Sequence, residues 1–283
     1  MIIDFVNQEV YPHLEKIDSM TDKSLMPSLL KKSAELGMLG VNISEQYGGI
    51  DLDVVTTLIF GEATAYGHSF ATAIGAHTSI GSLPIVYYGN ETQKVKYLPG
   101  LANGDLMASY CLTEPDAGSD ANSGKTKAVL NEKGTHYVIN GQKMWITNGT
   151  IADIAVVWAK TEDGVVRGFL VEKGMEGFSA PMMKNKWSLR ASVTSELIFD
   201  NVFIPEENLL PNVKGMKGPL GCLTQARYGI TWGMTGCATD CYLSALNLSL
   251  IHISEPTRLL SIAYSVIIVK KKKRGGGGGG GGG

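Results

Sequence analysis

The chain has 283 residues, of which 44% are hydrophobic and 18% are charged, and its formal net charge is −2. This length and composition allow sizeable buried cores and favour two domains. A charge so close to zero excludes a global basic field of the kind that holds DNA or RNA. No charged segment followed by an apolar segment begins the chain, so the sequence predicts no secretion signal.

The first part of the chain, residues 1–108, has the apolar periodicity of helices. Leucines recur at helical spacing between Leu25 and Leu39, and Gly37 and Gly40 end that pattern. Three further segments follow: a helix at 53–66 with Asp51 or Asp53 as its N-cap, an apolar run of small residues at 72–83 that Pro84 interrupts, and a short helix at 92–101 after Asn90. These segments predict an N-terminal helical domain.

Near Ala108 the periodicity changes to the alternation of strands. The predicted strands are 123–130, 137–139, 154–160, 168–172 and 196–199. Residues 131–134 are predicted to form a hairpin turn, and Asn140 and Gly141 to form another tight turn. Short strands at this spacing predict a closed or sandwiched antiparallel β-domain.

Prolines and glycines between Pro205 and Gly218 predict a linker, and residues 220–247 are compatible with a helix. We therefore predict an α+β chain with the following parts: an N-terminal helical domain at 1–108, a middle antiparallel β-domain at 109–214, the first helix of a truncated C-terminal helix bundle at 215–247, and an unrelated low-complexity tail at 248–283. The tail ends in a basic run and nine glycines, which do not fold alone. We interpret it as an artefact, with a nuclear signal or lipid contact as the alternative for the basic run.

The four cysteines and five histidines show no metal-ligand spacing. Cys237 and Cys241 are four residues apart and share one helical face. We interpret all four cysteines as buried free thiols in a reducing compartment, rather than as a disulfide or a metal site. No metal, nucleic-acid or membrane partner is expected.

Two segments have the composition of a binding site. Residues 110–120 run from an apolar strand into a turn of proline, glycine and small hydroxyl residues, and residues 145–148 close a hairpin with a large flat ring beside a hydroxyl. Together they offer backbone N–H groups, short donors and an aromatic wall, which suit a planar heterocycle that carries a diphosphate. Taken singly, the turn around Glu114 is compatible with ordinary capping and Trp145 with a core position.

At this spacing the two segments resemble the flavin-contacting motifs of the acyl-CoA dehydrogenase family. The resemblance extends over about residues 3–247 through the motifs at 37–40, 47–49, 96–99, 190–194, 199–202 and 205–211. Residues 189–233 are most similar to the glutaryl-CoA dehydrogenase branch. The resemblance implies a helical domain, a β-domain, a helix bundle, and α,β-desaturation of an acyl-CoA thioester with hydride transfer to FAD. It also implies an electron-transfer flavoprotein as partner, a homotetramer at full length, and a cytoplasmic location, or the mitochondrial matrix in a eukaryote.

Carried onto this sequence, the resemblance implies FAD contacts at Tyr110, Leu112, Thr113, Gly118, Ser119, Trp145, Ile146 and Thr147. Leu112 and Thr113 would meet the pyrimidine edge of the flavin through their backbone, and Gly118 and Ser119 would lie by the diphosphate. Trp145 would cover the isoalloxazine, and Thr147 would donate its hydroxyl near N5. Substrate contacts are implied at Ser119, Leu220 and Arg227, with Arg227 holding CoA.

Two departures from the family limit what we expect of this chain. The family's catalytic glutamate lies either in a Tyr-Glu-Gly-Thr setting beyond residue 283 or directly before the arginine that matches Arg227, where this sequence has Ala226. Glu114 is no substitute because it belongs to the flavin-binding turn, so we assign no catalytic residue and expect the truncated chain to be inactive. An arginine of glutaryl-specific members corresponds to Ala71, which predicts a monocarboxylic acyl chain.

Three functions stay open at this point. The chain is a truncated acyl-CoA dehydrogenase, a non-enzymatic partial fold with residual flavin or CoA binding, or part of a related flavoprotein such as an acyl-CoA oxidase or a flavin monooxygenase.

Overall fold

The structure, a computed structural model, describes residues 1–19, 22 and 24–252. The chain divides into two compact units, Met1–Cys237 and Ala238–Gly283. The first unit consists of an N-terminal helical domain, a middle β-domain and the first part of the last helix, which confirms the predicted α+β class. Residues 248–252 of the predicted tail belong to the last helix, and residues 253–283 lie outside the described residues.

The α-helices are α1 Ile2–Phe5, α2 Leu14–Ser19, α3 Leu25–Glu35, α4 Val54–Thr64, α5 Ser69–Ala76, α6 Leu83–Tyr88, α7 Glu91–Asn103 and α8 Lys217–His252. Side chains cap two of them, and Asp53 is one of the two N-caps that the sequence offered for its helix. Asp53 accepts from the backbone N–H groups of Val55 and Thr56, which begins α4. Asn90 and Gln93 form a reciprocal capping box at the start of α7. Both caps satisfy N–H groups that have no partner inside the helix.

Pro84 begins a helix instead of interrupting one, so that prediction was wrong. The break comes earlier, at the π-helical turn His77–Gly81 between α5 and α6. Pro84 occupies the first turn of α6. A proline costs no intrahelical hydrogen bond there, because the first N–H groups of a helix have no partner in it.

The strands are β1 Ala108–Cys111, β2 Lys127–Leu130, β3 His136–Ile146, β4 Ile154–Lys160, β5 Val166–Glu172, β6 Phe178–Ser179 and β7 Ser195–Pro205. They form one sheet in the order β1-β4-β2-β3-β7-β6, with β5 paired to β4. Most pairs are antiparallel, as predicted, whereas β4 runs parallel to both β1 and β2.

One of the two predicted turns is present and the other is not. The hairpin turn at 131–134 joins β2 to β3, and the N–H of Gly134 donates to the carbonyl of Asn131 at 2.9 Å. Asn140 and Gly141, in contrast, lie inside β3, where the register against β7 shifts. Gly141 has a φ of +149°, and a Cβ there would lie 2.5 Å from Oγ1 of Thr126. The glycine therefore permits a β-bulge and not a chain reversal.

Two further predictions about strands were wrong. Residues Ala121–Ser123 form a 3-10 turn, so β2 begins only at Lys127. Residues 145–148 do not close a hairpin, because β3 pairs with β2 and β7 while β4 pairs with β1, β2 and β5. The segment is instead a connection between two strands that are not neighbours in the sheet.

Strand β4 lies at the centre of the core and is buried on both faces. Val156 and Trp158 pack into a cluster with α6 and α7, and Ala155 and Val157 pack into a second cluster with β3 and β7. Burial on both faces explains why β4 is a continuous apolar run in the sequence. A third cluster fills the helical domain around Phe70.

None of the four cysteines forms a disulfide. Cys111 and Cys222 are buried, and burial raises the pKa of each thiol to about 12. Cys241 is exposed on α8, so the prediction that all four thiols are buried was wrong. None of the described helices combines the length and the apolar composition of a membrane span.

Candidate functional site

A cavity of about 140 Å³ brings together six of the predicted site residues. Its wall consists of Ala76, Ile80, Tyr110, Leu112, Thr113, Trp145, Ile146, Thr147 and Leu223. The wall therefore combines α5 and the turn after it, the end of β1, the end of β3 and one residue of α8. Ala76, Ile80 and Leu223 were not predicted as site residues, although the small-residue run at 72–83 indicated close packing.

The other predicted site residues do not line this cavity. Gly118 and Ser119 are exposed in the loop that follows the bridge between Glu114 and Ala117. Leu220 and Arg227 are on α8, where both are exposed. A ligand that contacts these residues as well as the cavity would have to extend beyond it.

Trp145 holds an unusual backbone conformation at the end of β3. Its φ is +62° and its side chain is 63% exposed, and Asn148 also has a positive φ of +64°. Such conformations cost of order 1–3 kcal/mol and persist only where the surroundings enforce them. Hydrogen bonds of Asn148 hold this segment in place. Its Nδ2 donates to the carbonyl of Ala73 at 2.7 Å, and its backbone N–H donates to the carbonyl of Ser192 at 3.4 Å.

The peptide group between Leu112 and Thr113 presents a donor to the cavity. Its carbonyl oxygen accepts from Nζ of Lys143 at 3.0 Å, and Lys143 is buried and does not line the cavity. The bond is trans, so the N–H of Thr113 points in the opposite direction from that carbonyl. Within the part of the chain that the structure describes, this N–H has no acceptor. Thr113 therefore offers an unused backbone donor at the cavity wall.

Behind this wall, Lys143 and Glu114 form a buried ion pair. Nζ of Lys143 lies 2.7 Å from Oε1 of Glu114, and their side chains are only 2% and 7% exposed. The carboxylate also accepts from the backbone N–H groups of Lys125 at 2.5 Å and Thr126 at 3.1 Å.

The two ionisable groups of this pair influence each other's pKa. Burial lowers the pKa of Lys143, and the carboxylate of Glu114 opposes this effect. Burial acts to raise the pKa of Glu114, but Lys143 and the neighbouring donors hold that pKa below its usual value. Glu114 is therefore ionised at neutral pH, and its oxygen atoms are occupied by hydrogen bonds.

Tyr110 lines the cavity with its ring and uses its hydroxyl elsewhere. The hydroxyl donates to the carbonyl of Pro219 at 3.0 Å, which links β1 to the start of α8. Burial holds the pKa of this phenol far above its usual value, so the group stays neutral. The ring also packs against Trp158, with 6.2 Å between centroids.

Comparison with known proteins places this arrangement in one family. Residues 1–105 match the family model described as acyl-CoA dehydrogenase, N-terminal domain, and residues 109–202 match the one described as acyl-CoA dehydrogenase, middle domain. The chain therefore belongs to the acyl-CoA dehydrogenase family.

Three similar proteins illustrate the relationship. A probable acyl-CoA dehydrogenase of Bacillus subtilis is 44% identical over 83% of this chain and 40% of its own length. A glutaryl-CoA dehydrogenase of Mycobacterium smegmatis, solved in complex with FADH2, is 39% identical with a TM-score of 0.78 over 84% of this chain and 61% of that one. Butyryl-CoA dehydrogenase of Megasphaera elsdenii is 31% identical with a TM-score of 0.84 over 95% of this chain and 73% of that one.

The chain is shorter than these relatives. It spans 40% to 65% of the length of four curated relatives that it matches. The matching segments include both parts of the cavity wall that the sequence predicted, 110–113 and 145–147.

Proposed function

We propose that the chain is the flavin-binding part of an acyl-CoA dehydrogenase that desaturates an acyl-CoA thioester between Cα and Cβ. FAD, when bound, supplies the hydride acceptor for this reaction. The observation that carries the proposal is the convergence of Tyr110, Leu112, Thr113, Trp145 and Thr147 on one cavity. The FADH2 in the M. smegmatis glutaryl-CoA dehydrogenase, a relative at 39% identity, supports the same cofactor here.

The residues of the cavity fit an isoalloxazine ring. The free N–H of Thr113 suits a carbonyl at the edge of the ring, and the Thr147 hydroxyl makes no hydrogen bond within the described chain. The exposed ring of Trp145 offers a flat face for stacking, as aromatic systems prefer. Ala76 and Leu223 add apolar surface to the cavity wall.

The proposed contacts divide between the cofactor and the substrate. Within the cavity, Trp145 would cover the ring of a bound flavin and Thr147 would donate its hydroxyl near the reacting nitrogen. Outside it, we assign the diphosphate to Gly118 and Ser119 and the CoA moiety to Ser119, Leu220 and Arg227. An acidic CoA phosphate is a suitable partner for the exposed guanidinium of Arg227.

The described cavity wall contributes no carboxylate to take up the α-proton. Glu114 is separated from the cavity by the peptide group it helps to hold, and Lys143 already occupies it. We therefore assign no general base to the described residues. Ala71 at the position of the glutaryl-specific arginine supports a monocarboxylic acyl chain. The same proposal includes an electron-transfer flavoprotein as the partner and a homotetramer as the oligomeric state.

The test of cofactor binding is a titration of the purified chain with FAD, followed by flavin absorbance and tryptophan fluorescence. FAD binding should quench the tryptophan fluorescence. Trp145→Leu should weaken FAD binding because the stacking surface is removed. Trp187→Leu is the matched control, since Trp187 is fully exposed at 100% in a loop that does not line the cavity. Equal FAD affinity in the two variants would count against the proposed site.

The test of substrate binding adds butyryl-, octanoyl- and glutaryl-CoA to the FAD-loaded chain without oxygen. We expect the monocarboxylic thioesters to perturb the flavin spectrum, with slow reduction because a missing general base costs on the order of 10²–10⁴ in rate. Rapid bleaching would show that a base is present in the chain. No spectral response to any thioester would favour the second candidate, a flavin-binding fold without enzymatic function, which the absence of a carboxylate from the described wall also supports.

A further inference from the structure

We propose that the buried ion pair of Lys143 and Glu114 is a positioning device for the cofactor. It fixes the peptide group between Leu112 and Thr113 so that the N–H of Thr113, and not a carbonyl oxygen, faces the cavity. The inference rests on the proposed flavin binding for its purpose, although the geometry itself is present in the chain alone.

Lys143 contacts the residues on both sides of Thr113. Its Nζ donates to the carbonyl of Leu112 at 3.0 Å and to Oε1 of Glu114 at 2.7 Å. Glu114 is in turn held by the backbone N–H groups of Lys125 and Thr126. One ammonium group therefore determines the orientation of the peptide group that precedes Thr113 and the position of the side chain that follows it.

The same lysine joins the two segments of the cavity wall. Lys143 is on β3, two residues before Trp145, while its partners Leu112 and Glu114 follow directly after β1. A backbone hydrogen bond of 2.8 Å from the N–H of Met144 to the carbonyl of Thr113 runs beside it. The wall formed by Leu112 and Thr113 is thus connected directly to the strand that carries Trp145.

The choice of an ion pair here is not explained by stability. Two buried charges lose hydration, and well-packed apolar residues of similar size are often equally stable or more stable. An apolar side chain at position 143 could not, however, donate to the Leu112 carbonyl. Without that donor the peptide group is free to rotate, and rotation would replace a donor at the cavity wall with an acceptor. A carbonyl there would repel the carbonyl edge of a flavin.

The variants remove both charges and keep the volume. Lys143→Met combined with Glu114→Gln leaves no unpaired charge in the interior, so the double variant is expected to fold. Lys143→Met alone would leave the carboxylate of Glu114 buried without its partner. Ile139→Ala is the control for general destabilisation, because Ile139 is buried in the core on the same strand and does not line the cavity.

The first readout observes the peptide group without any cofactor. The sequence contains two Leu-Thr dipeptides, Leu112-Thr113 and Leu223-Thr224. Labelling with carbonyl-¹³C leucine and ¹⁵N threonine therefore gives two amide resonances in a carbonyl-filtered NMR spectrum. In the double variant the Thr113 resonance should shift or broaden while the Thr224 resonance stays in place. In Ile139→Ala both should keep their wild-type positions.

The second readout is FAD affinity. Loss of one oriented hydrogen bond should weaken FAD binding by about tenfold in the double variant. The visible spectrum of any bound flavin should shift, since the donor to its edge is lost, whereas Ile139→Ala should keep both the affinity and the spectrum. An unchanged Thr113 resonance together with unchanged FAD affinity overturns the inference. If the wild-type chain binds no FAD, the proposed function fails, and the Thr113 resonance still decides whether the pair orients the peptide group.

Discussion

Acidification should destabilise this chain through His77, whose imidazole is buried between the helical domain and β1. Its Nδ1 accepts from the backbone N–H of Ala108 at 3.1 Å. Its Nε2 lies 3.0 Å from the carbonyl of Leu101 and so carries the proton. Both nitrogen atoms are therefore used by the neutral ring, and protonation of Nδ1 would break the bond to Ala108.

The magnitude follows from the pKa. Burial lowers the pKa of His77 from 6.5 to about 4, and the Leu101 carbonyl and Asp153 oppose this only partly. Between these two values the unfolded chain binds more protons than the folded chain, so stability rises with pH. The contribution is complete above pH 6.5 and is lost as the pH falls to about 4. At about 1.4 kcal/mol for each pH unit, the loss is about 3 kcal/mol.

The assay is urea denaturation at a series of pH values between 4 and 7.5, for the wild type and for His77→Gln. Glutamine keeps a donor near the position of Nε2 and does not titrate in this range. The variant should be less stable at pH 7.5, because the N–H of Ala108 loses its acceptor, but its stability should depend less on pH. Paired carboxylates contribute equally to the pH dependence of both proteins. Parallel curves of stability against pH for the wild type and His77→Gln would therefore refute the reasoning.

Three further outcomes are expected. Gly141→Ala should cost about 1–3 kcal/mol because a Cβ would collide with Thr126 at a positive φ, while Gly118→Ala, with open space around it, should leave the melting temperature unchanged. Asn90→Ala should cost about 1 kcal/mol, measured by thermal unfolding, because it removes the cap of α7. In the native chain a thiol reagent should modify exposed Cys241 and spare buried Cys111 until urea is added, and equal rates would contradict the burial.

Much of the architecture was predictable because it depends on local patterns. Apolar periodicity indicated α3 and β4, and the side chains of Asp53 and Asn90 marked helix starts that the structure confirms. The failures came from residues with two common uses. Gly141 permits a bulge as readily as a turn, and Pro84 begins a helix as readily as it ends one. In both cases the neighbouring strand or helix determines which structure forms. A local sequence pattern carries no information about that neighbour.

The cavity shows the same division. Residues 110–113 and 145–147 were predicted from two motifs, and the structure brings both segments to one wall. Leu223 was not predicted, since its position in the wall depends on where α8 packs against β1. Nor was Lys143, because a lysine in an alternating strand is usually solvated, and its buried partner lies 29 residues away.

The surroundings of Glu114 differ from those of a catalytic base. A general base works best when its pKa lies near the working pH, and enzymes raise a glutamate to that range by burial without compensating charge. Glu114 has burial together with Lys143 and two backbone donors, and these hold its pKa low. A carboxylate so stabilised is a weak proton acceptor. Glu114 also does not line the cavity, which favours the proposed positioning of the wall over proton transfer.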